Sequence, residues 1–153
     1  MAKETYNPYG FMPVDPESAH IEYYPVATTQ TLAKGDPVIL SSGQVAVAVA
    51  ASSTELLGVM AEDAASLTAG VLVAVYDDPD TVFYGRASAD ASAVAIGYHA
   101  DLSGTTGAFV INVAASSQDL FCILGVKAGD TNSEVGAHLK CKIMKHALAD
   151  ISS

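Results

Sequence analysis

Four features of this sequence recur in the same order, and the recurrence limits the chain to folds built from two like halves. The first set is Gly35 to Ser41 (GDPVILS), a glycine turn leading into a valine-rich stretch, Leu57 to Asp63 (LGVMAED) and Gly70 to Val75 (GVLVAV). The second set is Gly97 to Ser103 (GYHADLS), the turn glycines Gly104 and Gly107 leading into AFVINV, Leu124 to Asp130 (LGVKAGD) and Gly136 to Cys141 (GAHLKC). The offset drifts only from 62 residues (Gly35 to Gly97) to 67 (Leu57 to Leu124). A solenoid needs three or more copies, so two copies point to one duplicated unit of roughly four strands. The expected product is a small closed or two-layer β body with pseudo-twofold internal symmetry, which also hides its strand edges. The halves fall near 28–76 and 93–144. Gly58 and Gly125 are expected at equivalent positions, each letting strands or layers approach closely.

The local signals agree with an all-β body, tulip-like or of barrel or sandwich form. Pro37 to Leu40, Val45 to Val49 and Val71 to Tyr76 are short runs rich in β-branched residues. Gly35-Asp36, Ser41-Ser42-Gly43, Gly70 and Asp77 to Asp80 separate them as turns. In Gln44 to Ala51 (QVAVAVAA), period two places Val45, Val47 and Val49 on one face and Ala46 and Ala48 on the other. A face of alanines admits a second layer at close range. Ala61 to Ala69 contains good helix formers and ends at Gly70, which predicts a short helix or turn there. Ala87 to Ala95 reads either as loop or as a helical turn. The chain has no Trp and 7% aromatics, so Ala, Val, Leu and Ile must build the core.

Residues 1–27 form a separate segment ahead of a single β domain at 28–153. Pro8, Pro13, Pro16 and Pro25 exclude helix and central strand. Tyr6, Tyr9, Phe11, Tyr23 and Tyr24 are rings that gain from burial. The expectation is an extended arm lying on a surface, either its own body or a neighbour's. Those five rings are candidate partner contacts.

Charge and motifs narrow the function. With 7 Lys plus Arg against 17 Asp plus Glu, the net charge is −10, which repels phosphate backbones and argues against nucleic-acid binding. Half of the residues are apolar and 16% are charged, a balance suited to a large contact with protein. The start, MAKETYNPYG, lacks the basic and apolar regions of a signal peptide. The longest purely apolar run, Val45 to Ala51, is far short of the ~20 residues of a membrane helix. A soluble protein used without secretion or membrane contact is expected. Cys122 and Cys141 lie in apolar stretches and read as free thiols rather than a bridge. Asp77-Asp78-Pro79-Asp80 lacks the spacing and distal Glu of an EF-hand, and reads as a solvated turn. The acidic residues after the repeated Leu-Gly-Val, Glu62-Asp63 and Asp130 with Glu134, read as turn residues. His20, His99, His138 and His146 are not at metal-ligand spacing, and His138 and Cys141 fall on opposite faces of a strand. There is no nucleophile elbow, no P-loop and no dinucleotide fingerprint, and Arg86 is the only arginine. No enzyme, cofactor or metal is expected. His138 to His146 (HLKCKIMKH) reads as a strand with Leu139, Cys141 and Ile143 inside and His138, Lys140 and Lys142 outside. Lys140 and Lys142 are candidate contacts for an acidic partner surface, alongside a simple role as a solvated strand face.

The motif series Gly35 to Leu40, Gly43 to Val45, Leu57 to Asp63 and Gly70 to Val75, with a degenerate copy over Gly97 to Ile143, resembles the capsid decoration (cement) proteins of tailed bacteriophages. The resemblance covers residues 28–146 and leaves the aromatic arm outside. It implies a head-stabilising virion protein on the outer capsid surface, made in the host bacterial cytoplasm, that clamps neighbouring major capsid proteins, often as a homotrimer. The Lys-Cys-Lys strand and the Pro/Tyr arm depart from that pattern. The alternative from the residues is a β-rich virion fibre or carbohydrate-binding adhesion module. Outside the arm, only Tyr76, Tyr84 and Tyr98 would supply tyrosine platforms to it.

Overall fold

The computed structural model describes residues 10–27, 30–50, 55–88, 96–113, 119–126 and 138–148. In chain order its strands are β1 (Phe11–Pro13), β2 (Ile21–Pro25), β3 (Gln30–Leu32), β4 (Pro37–Ser41), β5 (Gln44–Val47), β6 (Gly58–Met60) and β7 (Ala64–Leu67). They continue with β8 (Leu72–Tyr76), β9 (Val82–Arg86), β10 (His99–Ser103), β11 (Val110–Asn112), β12 (Phe121–Val126) and β13 (His138–Ile143). No helix occurs among the described residues. Two antiparallel sheets, ordered β2-β8-β6-β4-β5 and β1-β9-β13-β12-β10-β11, form a sandwich-like all-β body, with β3 and β7 paired beside them.

The repeat is visible as topology, although each unit starts one strand ahead of the halves expected near 28–76 and 93–144, with β2 opening the first and β9 the second. Setting β1 aside, β2-β8-β6-β4-β5 and β9-β13-β12-β10-β11 follow one wiring diagram. Registers match pair for pair. Pro37 faces Val59 as His99 faces Cys122, Leu40 faces Val45 as Leu102 faces Ile111, and Ile21 faces Tyr76 as Val82 faces Lys142. Gly35 and Gly97 both sit at positive φ (94° and 93°) and start equivalent strands. Each donates its N–H across the turn, Gly35 to Met60 at 2.9 Å and Gly97 to Ile123 at 2.7 Å. Each sheet also curls until its ends meet. A parallel bridge joins Val26 to Val45 in the first unit and Ala87 to Ile111 in the second. Each bridge shortens the exposed ladder edge of its unit, while β1 remains an outer strand.

One expected equivalence fails. The counterpart of Gly58 is Phe121, because Val38 pairs with Gly58 as Ala100 pairs with Phe121. Gly125 lies four residues further along β12, beyond a register shift between Ile123 and Gly125 that leaves Leu124 as the extra residue. Gly58 has its own reason: a Cβ there would collide with the Tyr76 carbonyl oxygen. The two Leu-Gly-Val triplets thus share equivalent strands but not equivalent positions.

The first unit encloses a core of Val26, Leu32, Val38, Val45, Leu57, Met60, Val73 and Val75. The larger core combines the interior of the second unit with residues of the first that face it, including Ala48, Leu56, Val59 and Tyr76. The alternation read from QVAVAVAA holds only in part: Val45 joins the first core and Ala48 the larger one, but Val47 packs on both and Val49 is exposed, because β5 ends at Val47. Asp36, buried at the start of β4, ties the units together. Its carboxylate accepts the Ala33 N–H at 3.0 Å and, from the second unit, the Gly107 N–H at 2.9 Å. Burial raises its pKa, and those N–H donors pull the other way.

Three further expectations are corrected. Within the segment to residue 27, Phe11–Pro13 and Ile21–Pro25 are extended and pair with β9 and β8, so they are strands of the two sheets rather than an arm apart from the body, while residues 1–9 lie outside the described residues. Pro13 and Pro25 end strands, where the missing donor costs least. The helix or turn expected over 61–69 is strand β7, because pairing Gln30 with Leu67 and Leu32 with Ala64 outweighs local helix propensity. Asp77 is not solvated but buried. Most of Ala87 to Ala95, together with Asp130 and Glu134, lies outside the described residues.

Candidate partner-binding surface

The repeat allows the outer faces of the two units to be compared position by position. On β2 and β8 the outward residues are Ile21, Tyr23 and Pro25 opposite Tyr76, Ala74 and Leu72. On β9 and β13 they are Val82, Tyr84 and Arg86 opposite Lys142, Lys140 and His138. The same lattice is apolar in one unit and basic in the other.

On the first unit this face is divided. Val59 and Tyr76 are buried and belong to the core shared with the second unit. Further out, Ile21, Tyr23 and Leu72 are 41%, 58% and 60% exposed. Pairing fixes their spacing, with Tyr23 facing Ala74 and Leu72 facing Pro25. Three exposed apolar side chains grouped on one sheet face mark a contact site more often than scattered ones do.

On the second unit, β13 alternates as expected, with Leu139, Cys141 and Ile143 buried and His138, Lys140 and Lys142 half-buried. Lys142 Nζ lies 3.0 Å from Asp80 Oδ1. That pair is exposed and contributes little to stability. The cysteines are free thiols, Cys141 buried and Cys122 partly so. Burial pushes the Cys141 thiol far above the usual thiol range.

The aromatic candidates separate into three groups. Tyr23 is the exposed ring. Phe11 is a core residue, 4% exposed and stacked on Phe121 with centroids 5.0 Å apart, so it is corrected from a partner contact to an internal one. Tyr24 is likewise turned inward: its hydroxyl donates to Asp77 Oδ2 at 2.6 Å. Burial and that carboxylate raise its pKa. Tyr6 and Tyr9 lie outside the described residues. Sequence reasoning missed Ile21 and Leu72. Ile21 sits two residues from Tyr23 and shares its face by strand period, a legible signal. Leu72 joins them only through pairing.

Asp77 gathers its own cluster. Its Oδ1 meets His20 Nδ1 at 2.6 Å while Oδ2 accepts from Tyr24, so both oxygens are engaged. The carboxylate raises the His20 pKa above the usual 6.5. The arrangement positions the turn after β8 against β2, and its polar groups bind each other. No protein-family profile and no curated protein matches the chain.

Proposed function

We propose that this chain is a structural virion protein that adheres to the outer surface of a phage capsid and stabilises it by clamping neighbouring major capsid proteins, as a homotrimer. The observation that carries the reading is the exposed apolar face of Ile21, Tyr23 and Leu72, continuous with the face that already glues one unit to the other. The basic face of Arg86, His138, Lys140 and Lys142 is concentrated on a chain of net charge −10, and it supplies a second, electrostatic contact for an acidic partner surface. A closed β body resists strand exchange with its neighbours, which suits a protein that must adhere without aggregating.

Co-sedimentation with heads of the phage that encodes the chain tests this. The native protein should pellet with heads in fixed proportion to the major capsid protein. A fully buried large side chain is worth roughly 1.5–3 kcal/mol. The double variant Tyr23→Ala with Leu72→Ala should therefore bind at least about tenfold more weakly, a loss of about 1.4 kcal/mol. Lys140→Ala with Lys142→Ala should flatten the salt dependence of binding. Native protein that stays in the supernatant would refute the reading, and glycan binding in its place would favour an adhesion module.

A further inference from the structure

Residues 144–148 leave β13 of the second unit and cross to the first. The Leu56 N–H donates to the Lys145 carbonyl at 2.9 Å and the Ala147 N–H to the Leu56 carbonyl at 2.8 Å, forming a parallel bridge between Leu56 and His146. Ala147 and Leu148 pack on the first unit's core. At the centre, His146 is 2% exposed. Its Nδ1 accepts the Leu148 N–H at 3.0 Å, which requires the neutral ring with its proton on Nε2. Nε2 faces the Asp77 backbone without closing a hydrogen bond and has no other partner. A proton added to the ring must go on Nδ1, where the Leu148 N–H already points. The atom that holds the segment would then become a donor facing a donor.

We propose that residues 144–148 form an acid-released latch between the two units, with His146 as its trigger. Protonation at Nδ1 expels the Leu148 N–H, loosens the Leu56 bridge and uncovers the first unit's core.

The charged groups around the ring decide the direction. Asp77 and Asp78 after β8 and Glu55 ahead of β6 all favour the imidazolium, while burial disfavours it and prevails, holding His146 below the ordinary 6.5. Asp77 is the strongest of these attractions, yet its two oxygens already bind His20 and Tyr24, and burial outweighs it. Lys145, next along the chain, is a cation and adds no attraction. The folded-state pKa of His146 is depressed, so its share of stability is complete above pH 6.5 and is lost as pH falls from there towards the depressed value. His20 behaves oppositely. Its pKa is raised, so its contact with Asp77 is fully present below 6.5 and is lost as pH rises through the raised value. Mild acid therefore keeps the His20 contact with Asp77 and weakens the His146 contact with Leu148.

Amide hydrogen exchange on the full chain tests the latch, with rates corrected for the intrinsic pH dependence. Between about pH 7 and about pH 5, the window in which an imidazole titrates, the Leu56, Ala147 and Leu148 amides should lose at least tenfold in protection. The sheet amides of Met60 and Ile123 should keep theirs. In His146→Asn, whose Oδ1 takes the place of Nδ1 and accepts the Leu148 N–H without titrating, latch protection should be flat with pH. Should that variant fail to fold, NMR titration of the His146 ring in the native chain replaces it: ring protonation must track opening of the three amides. Latch amides that stay protected down to pH 5, or that open together with the sheet, overturn the proposal.

Discussion

Phe11→Ala separates a strand that belongs to the body from an arm that merely lies on it. The Phe11 ring is 4% exposed, stacks on Phe121 with planes 20° apart, and covers Gly85, where a Cβ would come within 2.5 Å of Phe11 Cε1. Emptying such a site costs about 3–5 kcal/mol. About 0.5–1.5 kcal/mol of that belongs to the ring pair. A domain has only about 5–15 kcal/mol in total. For a chain of this length each kcal/mol moves Tm by about 2–4 °C, so a fall of roughly 6–20 °C is expected. Urea unfolding followed by far-UV circular dichroism should show a lower midpoint with an unchanged slope. Truncating a ring that faced only a partner would leave stability within about 0.5 kcal/mol, and a change that small refutes the placement. A second variant tightens the test. Gly85→Ala drives a methyl into the Phe11 ring and towards Ile111 Cδ1, 2.8 Å away. With Phe11→Ala the methyl enters emptied space, so the double variant should be more stable than the sum of the singles by about 1 kcal/mol. Strict additivity would show that the two residues do not touch.

Two more outcomes follow from the packing. Gly58→Ala pushes Cβ into the Tyr76 carbonyl, a backbone atom that cannot swing aside, and should destabilise by about 3 kcal/mol or more in urea melts; a near-neutral change would mean β6 and β8 lie further apart than described. Brief alkylation followed by peptide mass spectrometry should label Cys122 in the native chain and Cys141 only after unfolding, because Cys141 is buried and its thiol stays protonated; equal labelling would contradict the assignment of β13's faces.

Much of the fold is legible in the chain because two kinds of signal are local. Alternation in HLKCKI sorts Leu139, Cys141 and Ile143 from His138, Lys140 and Lys142 without any partner in view. The repeat survives in turn glycines such as Gly35 and Gly97, which a positive φ requires in both units. What the sequence hides is non-local. Phe11 looks like part of a proline-rich arm until β9, more than seventy residues away, supplies its pairing. Asp77 looks like a solvated turn residue until His20 and Tyr24 close on it. The bulge at Leu124 is a one-residue insertion that leaves the Leu-Gly-Val text intact while changing its register. The candidate surface divides along the same line. Tyr23, Lys140 and Lys142 follow from strand period, whereas Leu72 and Arg86 join them only once the strands are paired.

The chain crosses over at both ends of the described body: β1 precedes the first unit but belongs to the sheet of the second, and residues 145–148 follow the second unit but cover the first. On a ribosome this wiring sets a schedule. The strands of the first unit are complete once Tyr76 has emerged, yet Leu56 gains its bridging partner only when His146 does. β1 likewise has no partner strand until β9 is made. At ~5–20 residues per second, the interval from Phe11 to Leu148 is on the order of ten seconds. Until Arg86 has emerged β1 stays unpaired, and until Leu148 has emerged its side of the first unit's core stays uncovered. Final locking therefore waits until residues 145–148 have emerged. Through Tyr76 the chain already carries two lysines against eight Asp and Glu residues, so half-finished copies repel one another.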